Sequence, residues 1–234
     1  MKYCKNCIIP DTRPDQIFDN NGVCNACLSF LRNKKIDWKK RANEFTEILE
    51  ETKVNNEKWN CVIPSSGGKD STYQAIRAKE LGLNPVLVTA TTCDLSEFGK
   101  KNIQNLKDKG FDTVEISNSS LTRSKLNKIG LELIGDIAWP EHVSIFTLPI
   151  KFALKFRIPL ILYGENPQIE YGGPQKSLNN SVLDRSWLEE FGGLIGLRVN
   201  DLIENYSFSK SELEIYNYPT KEELSEFKIR SIFL

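Results

Sequence analysis

From Asn60 to Tyr163 the chain alternates short apolar runs with longer amphipathic stretches. Cys61-Val62-Ile63-Pro64 is an apolar run of strand length that predicts a buried strand. Asp70 to Leu81 then reads as a helix, closed by Gly82 with Pro85 beyond it. Pro85-Val86-Leu87-Val88-Thr89 predicts a second strand. Leu95, Phe98, Ile103 and Leu106 supply the apolar residues of a further helix, ended by Gly110. Thr113-Val114-Glu115-Ile116 is a third strand, followed by a helical stretch from about Ser119 to Ile134. His142 to Phe156 is apolar nearly all round, which predicts a buried helix kinked at Pro149. Leu160-Ile161-Leu162-Tyr163 is a fourth strand. Strands alternating with helices predict an α/β fold, a doubly wound parallel sheet. Upstream, Trp38, Ala42, Phe45 and Leu49 recur at i, i+4, i+7 and i+11, one face of an amphipathic helix that Val54-Asn55-Asn56-Glu57 breaks.

Length and charge narrow the function classes. The 234 residues suit one main domain with an accessory piece. Lys+Arg and Asp+Glu balance at 31 each, so no basic excess asks for nucleic acid. The densest basic run, Arg32, Lys34, Lys35, Lys39, Lys40 and Arg41, is interrupted by Asp37 and reads as a solvated helix flank. The apolar run at residues 158–163 is far below the ~20 residues of a membrane span. Met1-Lys2-Tyr3-Cys4 has no apolar signal core behind it. The expectation is a soluble, cytoplasmic chain with no membrane partner.

Candidate chemistry sits in two places. Cys4-x2-Cys7 and Cys24-x2-Cys27 pair four of the six cysteines, leaving Cys61 and Cys93 alone. Paired C-x2-C turns in a cytosolic chain suggest metal rather than disulfides, and two such turns supply four thiolates to a structural zinc. An iron–sulfur cluster uses the same ligands. Residues 8–23, with Pro10, Pro14 and Gly22, read as the loop or small ribbon between the turns. The second place is Ser65-Ser66-Gly67-Gly68-Lys69-Asp70-Ser71, at the end of the first strand. Two glycines let the backbone turn sharply and expose N–H groups, and the following helix aims its positive end at the same point. Ser66 and Ser71 add hydroxyls, and Asp70 offers a carboxylate for Mg2+. This is a phosphate cradle at the carboxyl edge of a parallel sheet. It is not a Walker A loop, because G-x-x-x-x-G-K-[ST] does not fit the residues here.

Ser66-Gly67-Gly68-Lys69-Asp70-Ser71 resembles the pyrophosphate (PP) loop of the N-type ATP pyrophosphatases, which split ATP into AMP and pyrophosphate. The two cysteine pairs, the run Val62 to Gln74, Tyr163-Gly164-Glu165-Asn166-Pro167-Gln168 and Glu170-Tyr171-Gly172-Gly173 together resemble the N-acetyl sugar amidotransferases. That family makes acetamidino sugars for lipopolysaccharide O-antigen and for flagellin-modifying nonulosonic acids. The resemblance implies an adenine nucleotide alpha hydrolase-like sheet, with ATP, Mg2+ and a structural Zn2+ as cofactors. It implies pyrophosphate binding by Ser66, Gly67, Gly68 and Ser71, with charge from Lys69 and Mg2+ held by Asp70. Gly164, Glu165 and Asn166 are expected to face nucleotide or acceptor, with Glu170 and Tyr171 as further substrate contacts. The implied organisation is a zinc ribbon at 1–36, a connecting helix at 37–58, a PP-loop domain at 59–174 and a C-terminal substrate or partner region at 175–234. Relatives of this type are longer, so the apolar ending Lys228 to Leu234 suggests a truncated chain.

The implied reaction needs ammonia, and the sequence offers no glutaminase of its own. Lys2 stands where an N-terminal nucleophile would be, and Gly22-Val23-Cys24-Asn25-Ala26 is committed to metal. The single histidine, His142, opens an apolar helix and reads as structural. Ammonia is therefore expected free or from a partner, and the resemblance implies a glutaminase–cyclase type pair. The alternative class is a tRNA-thiolating PP-loop enzyme, which needs an electropositive face and further cysteines near the loop. Cys93, the thiol after the second strand, has no C-x2-C companion.

Overall fold

A computed structural model describes residues 1–12, 16–53, 58–91, 95–164, 196–227 and 229–233. The chain divides into two compact units, one built on Met1–Glu50 and the other on Glu51–Gly164 with the C-terminal residues up to Ile232.

In the first unit, Tyr3 bridges Pro10 and Phe18 bridges Cys24, both antiparallel, so each C-x2-C turn belongs to its own small ribbon. The second turn runs straight into helix α1 (Asn25–Asn33), with Cys24 as its N-cap. That helix lies within the span 1–36 that the sequence reading gives to the ribbon. Helix α2 (Trp38–Lys53) follows, but its apolar face is only partly covered. Leu49 is buried, Phe45 is half-buried, and Trp38 is 66% exposed. The basic run, which spans the end of α1 and the start of α2, lies in solvent, as expected.

The second unit is an α/β sheet. Its strands are β1 (Cys61–Pro64), β2 (Pro85–Ala90), β3 (Asp112–Ile116), β4 (Leu160–Tyr163) and β5 (Arg230–Phe233), in the spatial order β3-β2-β1-β4-β5. β1 pairs parallel with β2, Cys61 opposite Pro85, and parallel with β4, Cys61 opposite Leu160. β2 and β3 are also parallel. Burial on both faces explains the unbroken apolar runs: Cys61, Val62, Ile63, Val86, Leu87, Ile161 and Leu162 are all fully buried. β3 is less apolar and only half-buried, as suits an edge.

Helices α3 (Lys69–Glu80) and α4 (Glu97–Asp108) connect β1 to β2 and β2 to β3. Helices α5 (Ser120–Ile134) and α6 (Trp139–Phe156) then carry the chain back across the sheet to β4. α3 packs on β1 and β2, and α4 packs on β3. α6 packs on β1, β2 and β4, and the helix continues through Pro149 with its apolar residues in the core. Phe152 and Phe156 of α6 stack with Trp59 just before β1, at centroid distances of 5.8 and 5.6 Å. Two expectations on the helices are corrected. Phe98 is 78% exposed rather than on the buried face of α4, where Ile103 and Leu106 do the packing. His142 is half-exposed, its Nδ1 2.8 Å from Asp136 Oδ2, so the start of α6 is less apolar than its sequence suggests.

The C-terminal residues add helix α7 (Val199–Tyr206), a 3-10 turn at Glu214–Tyr216, helix α8 (Lys221–Glu226) and β5. Tyr216 is buried against α6, its ring 6.2 Å from Trp139. Arg230 N–H donates to Pro159 C=O at 2.8 Å, which fastens β5 beside the start of β4. Among the described residues, no helix is long and apolar enough to cross a membrane.

Candidate functional site

The four N-terminal cysteines come together. All four sulfurs lie within 4.8 Å of one another, with Cys7 to Cys24 at 3.5 Å and Cys4 to Cys27 at 4.0 Å. A tetrahedral ion with sulfurs at ~2.3 Å requires S···S edges of about 3.8 Å, so the set fits one ion. A cluster spreads its thiolates over separate irons and needs wider spacing. The surroundings suit thiolates. Asn6 N–H and Cys24 N–H donate to Cys4 Sγ at 3.4 and 3.2 Å, and the Asn6 side-chain amide donates to Cys27 Sγ at 3.2 Å. Burial opposes ionisation of Cys4, yet backbone N–H groups of Cys7, Cys24 and Asn6 outweigh it and bring the thiol down to about 6. Burial, together with the neighbouring Cys7 and Cys4 sulfurs, pushes Cys24 up to about 12. One thiol of the group therefore ionises readily and another resists, and a divalent cation is what deprotonates such a set together. The four cysteines can hold a metal ion.

The second site is built at the carboxyl end of β1. Ser65 continues the ladder, its N–H donating to Val88 C=O at 2.9 Å, and is buried. Its hydroxyl accepts from Gly67 N–H at 3.2 Å and donates to Ser71 Oγ at 3.2 Å, so one side chain ties the loop to the first turn of α3. Gly67 has φ +75°, and a Cβ there would meet Ile103 Cγ1 and N of α4 at 3.0 Å. Only glycine combines that dihedral with that approach. Gly68 caps α3 with no side-chain hydrogen bond, and Thr72 N–H to Gly68 C=O, at 3.1 Å, is the first bond of the helix. The N–H groups of Lys69, Asp70 and Ser71 therefore stand at an uncapped helix start, where the dipole favours an anion. Asp70 does not cap its own helix. Its carboxylate is half-exposed and meets Lys69 Nζ at 3.1 Å, a solvent-screened pair of little energetic weight.

The loop also stands where the strand order reverses. From β1 the chain proceeds to β2 on one side, while β4 borders β1 on the other. The carboxyl ends of β1 and β4 thus flank the crevice in which open α/β sheets bind ligands. Gly164 ends β4 there, within reach of Gln74 of α3. The structure thus gathers Ser66, Gly67, Gly68, Lys69, Asp70, Ser71 and Gly164 at one edge of one sheet. Glu165, Asn166, Glu170, Tyr171 and Cys93 lie outside the described residues. Ser65 and Gln74 belong to this edge too, and the sequence motif does not single them out. The available signal for Gln74 was a polar side chain on the buried face of α3, beside Ala75 and Ala78.

Neither a protein-family model nor a curated protein sequence matches the chain. Among solved structures, it is similar to a protein described as a predicted subunit of tRNA methyltransferase from Methanocaldococcus jannaschii. The two share 18% identity with a TM-score of 0.38, over 74% of this chain and 67% of the other. It is also similar to an NH3-dependent NAD synthetase from Campylobacter jejuni in complex with the nitrate ion. Identity there is 15% and the TM-score 0.45, over 83% of this chain and 93% of that one.

Proposed function

We propose that the chain is an ATP-dependent, AMP-forming amidotransferase that converts the N-acetyl group of a sugar into an acetamidino group. The observation that carries this reading is the loop Ser65–Ser71. Its glycine turn, its uncapped helix start and its place at the β1/β4 crevice fit the polyphosphate of a nucleotide. The sugar is assigned from the resemblance of the cysteine frame and the Gly164-Glu165-Asn166 segment to N-acetyl sugar amidotransferases.

An N-acetyl amide is a poor electrophile, so its oxygen must first become part of a leaving group. The amide oxygen attacks the α-phosphorus of ATP, and pyrophosphate departs with the electrons of the broken P–O bond. Ammonia then adds to the imidate carbon, and AMP leaves with the former acetyl oxygen. The product is an amidine, and one proton is released to solvent. Nothing in this route needs a side-chain nucleophile; the protein positions the reactants and offsets charge. Ser66, Ser71 and the N–H groups at the start of α3 hold the departing pyrophosphate. Gly67 and Gly68 allow its close approach, and Lys69 adds charge. Asp70 would hold Mg2+, which screens the phosphates, and leaves its pairing with Lys69 to do so. Glu165, Asn166, Glu170 and Tyr171 are assigned to the acceptor side. Cys4, Cys7, Cys24 and Cys27 would hold a structural zinc. The ammonia comes from solution or from a glutaminase–cyclase type partner.

The test is incubation with ATP, Mg2+, ammonium and a panel of acetamido-sugar nucleotides and nonulosonic acids. The reading requires stoichiometric AMP and pyrophosphate, and a product lighter by the exchange of oxygen for an imino group. AMP formation that ignores every acetamido sugar would remove the sugar assignment.

A further inference from the structure

Gln74 is 4% exposed, yet neither its Nε2 nor its Oε1 has a hydrogen-bond partner. Among the described residues, no other buried side-chain nitrogen or oxygen stands in that state. A sealed, unpaired amide opposes folding, whereas an apolar side chain of the same size is tolerated without that penalty. Its helical neighbours on the buried face, Ala75 and Ala78, carry no such burden.

The position of Gln74 says what the amide is for. It lies three residues after Ser71 and four after Asp70, so it shares their face of α3, one turn below the helix start. Its Oε1 lies 3.4 Å from where a Cβ on Gly164 would sit, so the residue that ends β4 places no side chain of its own against the amide. The amide therefore sits beneath the crevice between β1 and β4, on the side of the phosphate loop. Both of its functions are unmet, so its partner must bring an acceptor and a donor together. A phosphate group with a hydrated divalent cation does so: its oxygen accepts, and a metal-bound water donates.

We propose that Gln74 is a ligand-binding residue of this crevice, its Nε2–H donating to a phosphate oxygen and its Oε1 accepting from water on the accompanying Mg2+. The side chain's free dihedrals turn the amide toward the space beside Gly164 as the ligand enters. The assignment rests on the reading of Ser65–Ser71 as a phosphate site.

Thermal denaturation and binding titration of the wild type and Gln74→Met, with and without magnesium pyrophosphate, test it. Without ligand, Gln74→Met should melt no lower than the wild type, because it removes two unpaired polar atoms. Its affinity for magnesium pyrophosphate should fall at least ~10-fold, the cost of a hydrogen bond to a charged group. A variant that folds but melts lower without ligand, or one that binds as tightly as the wild type, overturns the proposal. A wild type that does not bind magnesium pyrophosphate overturns the loop reading and this assignment together. Equal binding by wild type and variant removes only the role of Gln74. If Gln74→Met does not fold, the side-chain NH2 resonance of Gln74 in 15N-labelled wild type decides. It should shift on saturation with magnesium pyrophosphate, and a resonance that stays in place overturns the proposal.

Discussion

Replacing Gly67 by alanine tests whether the loop is held by close approach as well as by backbone conformation. At φ +75° an L-residue loses roughly 1–2 kcal/mol relative to its right-handed conformations. Restricting the unfolded chain returns about 0.4–1 kcal/mol of that. The new methyl would lie 3.0 Å from both Ile103 Cγ1 and Ile103 N, and 3.2 Å from Asn102 C. Two of these three atoms are backbone, so α4 must shift, and overpacking of this kind costs roughly 1–3 kcal/mol. The sum is a net loss of about 2–4 kcal/mol. Gly135 is the internal control: it has φ +73°, and a Cβ there would meet no atom within 4 Å. Gly135→Ala should therefore cost only the conformational part, about 1 kcal/mol or less. At roughly 2–4 °C per kcal/mol for a chain of this size, Gly67→Ala should melt about 3–10 °C below Gly135→Ala. Calorimetry of both variants reads the difference directly. Equal melting temperatures would refute the packing of the loop against α4.

Metal analysis of protein purified without chelator should find one zinc per chain, with X-ray absorption showing sulfur ligands at ~2.3 Å. Less than half an equivalent would remove that assignment, and Cys24→Ser should abolish metal retention and disturb the ribbons before the sheet. Asp70→Ala should stop AMP release while changing stability by no more than about 0.5 kcal/mol, since the side chain is half-exposed at a helix start. Unchanged AMP formation would sink its role toward Mg2+. The ammonium-driven rate should climb between about pH 7 and 9, because only free-base ammonia carries the attacking lone pair, and its pKa resembles that of a lysine amine. A rate that is flat across that range, or glutamine hydrolysis by the single chain, would contradict the two-component ammonia supply.

The three central strands, β1, β2 and β4, were legible because each is a short apolar run buried on both faces and bounded by polar residues, glycine or proline, and the edge strand β3 was legible from Val114 and Ile116 alternating with polar residues. Their ends agree with the sequence pattern to within a residue. Helix faces were less legible. Phe98 and Ile103 are five positions apart, about 140° around a helix, so one cannot lie beside the other on a buried face. Trp38 shows the complementary limit: periodicity tells which face is apolar, but not what covers it. β5 is a four-residue edge strand whose partner lies about seventy residues earlier, and no local pattern announces that pairing. The phosphate loop was readable because its residues are contiguous and their chemistry is local. Gln74 became visible only through the juxtaposition of α3 with the end of β4.

The strand order has a consequence for how the chain is made. Synthesis delivers β1, β2 and β3 first, and these three with α3 and α4 are contiguous from Cys61 to Ile116. The phosphate loop can therefore form early, one wall of its crevice in place. The other wall, β4, begins at Leu160 and belongs against the free edge of β1. At roughly 5–20 residues per second, the apolar edge Cys61-Val62-Ile63 waits on the order of 5–20 s for its neighbour. For that interval it is an open template, and the β4 of a second nascent chain fits it as well as its own. Exchange of β4 between chains, which would build each crevice from two polypeptides, is the misassembly this topology invites.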